Sequence, residues 1–221
     1  MDELHPAVHK RKRGIETAGR ILECAAEAFA RKGYANATLG EIADAAGIRE
    51  SSVYNHFDGK AAILSRLLQI FREDAPKSRP SEEEQELMLD ALSPEEVMKG
   101  IVFYFGAHTP KMLEHVAMII NSEKYHDPEA ARAYRECVVQ EPSGYYEQLF
   151  LKMIGRGMIA PVDARMFAEQ YNYVSIALTK EYFMAELGLT DRVEVIRYMV
   201  RTIGFFCGLM KAGPGPGQGA P

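Results

Sequence analysis

Apolar residues in this chain recur every three or four positions, and period-two alternation never persists for the length of a strand, so the pattern predicts an all-helical protein. Ile15, Ala18, Leu22, Ala25, Ala26 and Phe29 mark one side of a first helix, with Glu16, Arg20, Glu23 and Glu27 opposite and Gly33 at its end. Gly and Pro then punctuate the chain into further helices near 59–73, 82–91, 94–108, 110–122, 128–139, 142–156, 163–187 and 190–211.

Between the first helix and residue 59 the elements are short. Thr38-Leu39-Gly40-Glu41 fits a capping box, in which the Thr hydroxyl accepts the third amide and Glu41 reaches back to the Thr38 amide. Leu39, Ile42, Ala43 and Ala46 give the helix that follows an apolar side two turns long. Gly47 supplies a left-handed residue for a sharp bend. A second short helix is expected over about Glu50–Phe57, anchored inward by Ile48, Val53 and Phe57. Two short helices on a tight Gly-containing turn describe a helix-turn-helix.

The 221 residues, 47% of them hydrophobic, are enough for a sizeable core and exclude a small disulfide-stapled scaffold. Charge is balanced up to residue 60, with nine Lys/Arg and nine Asp/Glu, so the net charge of −5 lies wholly in the remainder. Bulk charge therefore reveals no polyanionic partner. Lys10, Arg11, Lys12 and Arg13 nevertheless form a basic run ahead of the first helix, suited to phosphates or a minor groove. The last nine residues collect Gly213, Pro214, Gly215, Pro216, Gly217, Gly219 and Pro221 without an apolar anchor, a composition expected to be disordered.

The run T-L-G-E-I-A-D-A-A-G-I-R-E-S-S-V-Y-N-H-F-D-G-K closely resembles the helix-turn-helix of the TetR family of transcriptional regulators. Phe29-Ala30-Arg31-Lys32-Gly33-Tyr34, Thr38, Ala46-Gly47, Tyr54-Asn55-His56-Phe57 and Lys60 follow in that family's order and spacing. The resemblance is specific over residues 13 to 70 and architectural beyond. It implies that the second short helix enters the major groove, and its residue types suit that task. Glu50, Ser51, Ser52 and Asn55 can reach base edges or phosphates, and Tyr54 and His56 can donate to phosphate oxygens. Thr38 offers a hydroxyl, and Lys60 a point charge beside a helix N-terminus. Arg49 stands where the family usually has a capping Ser or Thr; it cannot accept an amide, but it can touch DNA. These residues do not disclose an operator sequence.

The remaining three-quarters divides by task. The helix near 59–73 carries Ile63, Leu64, Leu67, Leu68 and Phe71 and leaves the reading head directly, as a lever would. In the last helix Val193, Ile196, Val200, Ile203, Cys207 and Met210 form a coiled-coil-like seam, and Val195, Met199, Phe206 and Leu209 form a second stripe. Ala168, Tyr171, Ser175, Leu178 and Tyr182 line one side of the helix before it. Two stripes suggest a four-helix homodimer interface built from these residues with Ile196, Val200, Ile203 and Cys207. The intervening helices are rich in Met and aromatic residues, which suits an adaptable cavity. The resemblance implies that this region binds a small-molecule effector, and Phe103, Tyr104, His108, Met112, Tyr146 and Phe150 are the candidate lining.

Enzymatic and metal readings fail on spacing. His108, Glu114, His115, Glu123 and His126 fall close together, but no two of these histidines are three or four apart, so they present no chelating pair on a single helix. There is no G-x-S-x-G and no phosphate-cradling glycine loop. Cys24, Cys137 and Cys207 are too widely spaced for a metal knuckle or a disulfide framework. No cofactor, metal or catalytic residue is assigned. With no signal peptide and no membrane span, a cytoplasmic protein is expected.

The expected organisation is a flexible basic arm (1–12), a three-helix helix-turn-helix DNA-binding domain (13–60), a larger helical effector-binding and dimerisation domain (61–211) and a disordered tail (212–221). The expected function is a regulator of a palindromic double-stranded operator, acting as a repressor released by its effector. The alternative is a ligand-, metal- or redox-sensing helical module whose helix-turn-helix serves protein contacts.

Overall fold

Caps and amphipathic spacing place the helices, and among the described residues the backbone is helical or irregular throughout. The computed structural model describes residues 5–211, with side chains from Lys12 onward. The expectations for residues 1–4, for the Lys10 and Arg11 side chains and for the 212–221 tail lie outside the described residues. The helices are α1 (His5–Lys32), α2 (Leu39–Ala45), α3 (Glu50–Val53), α4 (Lys60–Asp74), α5 (Glu82–Ala91), α6 (Pro94–His108), α7 (Lys111–Glu123), α8 (Pro128–Ala133), α9 (Glu141–Gly155), α10 (Ala164–Glu186) and α11 (Arg192–Leu209). A 3-10 turn (Ala75–Ser78) follows α4, and a π-helical segment (Tyr134–Gln140) precedes α9.

Two compact units result: Met1–Ala75 with Pro110–Tyr134, and Pro76–Thr109 with Arg135–Pro221. The boundary at residue 60 in the functional division is therefore not the boundary of compactness. Residues 61–75 and 110–134 cluster with the helix-turn-helix. The reason is apolar surface. Ile63, Leu64, Leu67 and Leu68 of α4 and Ile21, Leu22, Ala25 and Phe29 of α1 are all buried, as are Leu113, Val116, Ile119 and Ile120 of α7, which packs on both helices. α1 itself begins at His5, so Lys12 and Arg13 stand within a helix and not on an arm ahead of it. Its apolar stripe starts later than the periodicity suggests, since Ile15 is 66% exposed and Ile21 fully buried.

The second unit packs α5, α6, α9, α10 and α11 around Val97, Met98, Ile101, Phe150, Met153, Ala168, Ile203 and Phe206. Tyr171 lies at its centre, meeting the rings of Tyr146, Phe150 and Phe206 edge-on at centroid distances of 4.7, 6.4 and 5.3 Å. α5 is latched to α9 by a charge ladder. Glu82, Glu86 and Asp90, one turn apart, face Lys152 and Arg156.

Pro142 was expected to separate two helices, yet the chain stays helical from Pro128 to Gly155 by widening through the π-helical segment. Proline at 142 has no amide to offer the Val138 carbonyl, its acceptor in an α-helix. The buried Asn172 amide of α10 fills the gap, donating to the carbonyls of Val138 (3.2 Å) and Val139 (3.0 Å) and lying 3.1 Å from Ser143 Oγ.

Candidate nucleic-acid interface

The helix-turn-helix is entered at Gly33, where φ of +81° turns the chain out of α1. α2 then opens on the expected capping box: the Glu41 amide donates to Thr38 Oγ and the Thr38 amide to Glu41 Oε2, each at 3.2 Å. Glu41 Oε1 also accepts from Lys32 Nζ at 2.6 Å, tying the end of α1 to the start of α2. The Lys32 bond, with those from Thr38, holds the Glu41 carboxyl below the ordinary range. Gly47, at φ +67°, makes the turn, and Ile42, Ala43, Ala46 and Val53 bury the inner sides of the two short helices.

α3 is shorter than its sequence suggests. Only Glu50–Val53 is α-helical, and the chain passes through Tyr54 to His56 as turns, with the His56 and Phe57 amides donating to the Val53 carbonyl. Arg49 occupies the N-cap with no side-chain bond to the helix, which agrees with its inability to accept an amide and leaves the guanidinium outward. Arg49, Glu50, Ser51, Tyr54 and Asn55 are exposed and form one polar surface, with Ser52 and His56 partly buried beside it. Glu50 leans back toward α2: its Oε2 lies 3.2 Å from where a Cβ on Gly40 would stand.

Lys60 differs from expectation. Its Nζ donates to the carbonyls of Tyr34 (2.6 Å), Ala37 (2.9 Å) and Ala35 (3.1 Å) and sits 4.7 Å from the centre of the Tyr34 ring. The ammonium of the expected phosphate clamp is thus engaged by protein oxygens. Residue spacing alone could not foresee this, because the acceptors are backbone atoms of a loop more than twenty residues away.

The expected effector lining is not gathered into one wall. Phe103 is 55% exposed and His108 exposed on α6, where His108 stacks on Tyr104 at 3.9 Å, whereas Phe150 is fully buried in the core. Tyr146 joins Phe150 there, and burial pushes its phenol up to about 12. Met112 belongs to the other unit. A groove of about 390 Å³ opens elsewhere in the second unit, among Arg135, Val139, Gln140, Ser143, Gly144, Glu147, Arg165, Glu169 and Tyr173. The sequence reading missed it, since its residues come from the π-helical segment, α9 and α10 and show no shared period.

The expected dimer stripe is also corrected. Ala168, Tyr171, Leu178, Ile203 and Cys207 are buried within their own chain, so they cannot form an interface as well, while Ser175, Tyr182, Ile196 and Val200 are partly exposed. Burial raises the Cys207 thiol to about 11, an unreactive core position. The outward apolar residues of these helices are instead Met166, Tyr173 and Met184 on α10 and Val193, Tyr198, Phe205 and Leu209 on α11. Among the described residues no group of three or more His, Cys, Asp or Glu could hold a metal ion, and no helix is long and apolar enough to cross a membrane.

Residues 21–67 match the family described as bacterial regulatory proteins, tetR family. Over 73 residues the chain is 38% identical to the HTH-type transcriptional regulator TtgR of Pseudomonas putida, a match covering 33% of this chain and 35% of TtgR. It is 43% identical over 54 residues to the HTH-type transcriptional repressor KstR2 of Rhodococcus jostii, covering 24% and 26% of the two chains. The match thus spans about a third or less of these relatives' length. A solved structure from Mesorhizobium loti, assigned to the TetR family of transcriptional regulators, superimposes with a TM-score of 0.68 over 90% of this chain and 99% of its own, at 20% identity. Helix-turn-helix and all-helical fold together lead to one conclusion: residues 21–67 are similar to the tetR family of bacterial regulatory proteins, and the fold is that of the Mesorhizobium loti structure.

Proposed function

We propose that this protein is a sequence-specific DNA-binding transcriptional regulator that acts in the cytoplasm as a homodimer on a palindromic double-stranded operator. The observation that carries this reading is the α2–Gly47–α3 unit. Its inner side is closed by Ile42, Ala43 and Val53, and its outer side presents Arg49, Glu50, Ser51, Tyr54 and Asn55 together. Arg49 and Tyr54 serve phosphates, Ser51 and Asn55 serve base edges, and Thr38, Ser52 and His56 flank them. Dimerisation through the outward faces of α10 and α11 is supported by Tyr173, Tyr198, Phe205 and Leu209, each more than half exposed. The name of the similar KstR2 favours repression. Release by a small effector is supported by the groove of the second unit, whose Arg135, Glu147, Arg165 and Glu169 suit polar groups and whose Val139 and Tyr173 suit apolar ones.

The test is selection of random duplexes by the purified protein at physiological salt, followed by sequencing of the bound fraction. A palindromic motif is expected, with affinity falling about tenfold or more per doubling of salt. Asn55→Ala should relax the motif at one position of each half-site. Failure of the folded protein to enrich any motif, at low salt as well, overturns the reading and leaves protein contact as the task of the helix-turn-helix.

A further inference from the structure

We propose that Lys60 is a positioning residue: its ammonium is a tethered cation that holds the α1–α2 loop, and with it Thr38 and α2, in the register that DNA reading needs. This rests on the DNA-binding function proposed above.

An ammonium group has three N–H donors and no acceptor. All three are accounted for by carbonyls drawn from four consecutive residues, those of Tyr34, Ala35 and Ala37, at 2.6 to 3.1 Å. No proton is left to aim at a phosphate. The loop in turn needs the cation. After Gly33 the backbone folds so tightly that the amides of Asn36 and Ala37 both return to the Gly33 carbonyl. Among the described residues no backbone amide is paired with the carbonyls of Tyr34, Ala35 or Ala37. Ala37 is buried, and unpaired carbonyls there would be costly. The Tyr34 ring, packed edge-on against Phe29 at 5.1 Å, closes one side of the ammonium.

Lys60 is the first residue of α4, so one side chain joins the start of α4 to the loop that launches α2, across the reading element itself. The other side-chain ties of this loop, Lys32 to Glu41 and Asn36 Nδ2 to the Lys32 carbonyl, stay between α1 and α2. Lys60 ties the loop to α4. Three convergent carbonyls suit a compact ammonium and not a guanidinium, whose donors diverge in one plane. Lys60→Arg therefore separates the two roles, because arginine is a good phosphate ligand and a poor occupant of this cradle.

The experiment compares the full-length wild type, Lys60→Arg and Lys60→Met on the duplex recovered by selection, across a salt series, with amide hydrogen exchange of residues 33–42 in the free protein. Both variants are expected to lose at least about tenfold in affinity with the salt slope unchanged, and amides in the loop and first turn of α2 should exchange at least about tenfold faster. Full affinity in Lys60→Arg overturns the proposal. So does a Lys60→Met slope lower by about one with unaltered exchange, which is the mark of a phosphate contact. Should the variants not fold, the side-chain nitrogen resonance of Lys60 in the labelled wild type decides. A protected ammonium signal that stays in place on adding duplex supports the brace; one that is exchange-broadened, or that shifts as for a phosphate ion pair, overturns it. If the wild type enriches no duplex, the DNA reading fails separately; unchanged loop exchange then removes the brace too, and accelerated exchange retains it as a brace of the fold alone.

Discussion

Truncating Tyr171 separates a core role from an interface role. Helical spacing places this residue in the expected dimer stripe, whereas the structure leaves it 2% exposed among three rings set edge-on. Removing a buried aromatic costs about 3–5 kcal/mol, and each edge-to-face pair contributes about 0.5–1.5 kcal/mol beyond the area buried. Taking about 4 kcal/mol and a urea dependence of about 2 kcal/mol per molar, Tyr171→Ala should lower the unfolding midpoint by about 2 M. Tyr171→Phe keeps the ring contacts and loses only the hydroxyl, which bonds with Ser175 and Tyr146, for about 1 kcal/mol. The assay is urea unfolding followed by circular dichroism at fixed protein concentration, with sedimentation in native buffer beside it. The reasoning is refuted if Tyr171→Ala unfolds within about 1 kcal/mol of wild type yet sediments as a smaller species.

Thr38→Ala removes half of the capping box from a helix only seven residues long, and thermal unfolding should report a loss of about 1 kcal/mol; no change would mean that Glu41 and Lys32 hold α2 unaided. Asn172→Leu should cost about 1–3 kcal/mol, because the Val138 carbonyl receives no amide from Pro142 and would lose the Asn172 donor. Pro142→Ala supplies that amide and should recover much of the loss in a double-mutant cycle, whereas strictly additive costs would sink this account. The carboxyls of Glu41, Glu84, Glu86 and Glu96 are held below the usual 4.5, chiefly by bonds from Lys32, Ser81, Lys152 and Ser93 respectively. Their folded values lie below the unfolded ones, so their contribution is complete above about pH 4.5 and is lost as pH falls through the lower folded values. Melting temperature should fall as pH is lowered below about 4.5, and a flat or rising profile would contradict the assignment.

What was legible in the sequence was mostly local. The Thr38 capping box and the starts of α5, α6 and α8 rest on side chains bonding to backbone a few residues away, and such bonds have fixed spacing; the Gly47 turn rests on a positive φ that glycine adopts without strain. Faces were harder. α11 carries two apolar stripes, and periodicity cannot say which belongs to its own core: the buried line runs Val195, Ile203, Phe206, Cys207, Met210 and draws on both. The role of Lys60 was hidden for a different reason, since backbone carbonyls leave no trace in residue identity. Pro142 interrupts no helix because Asn172, thirty residues downstream, donates to the Val138 and Val139 carbonyls, and such a distant partner has no fixed spacing in the sequence.

The first unit is assembled from two separate stretches of chain, and this sets an order of events during synthesis. Residues 21–67, which carry the family likeness, leave the ribosome early, but the apolar sides of α1 and α4 stay uncovered until α7 has emerged. A nascent or truncated chain ending after Asp74 therefore displays Leu64, Leu67 and Leu68 to chaperones and proteases. Swapping reading heads between relatives at that point would carry over the readable letters of the domain but not the helix that closes it.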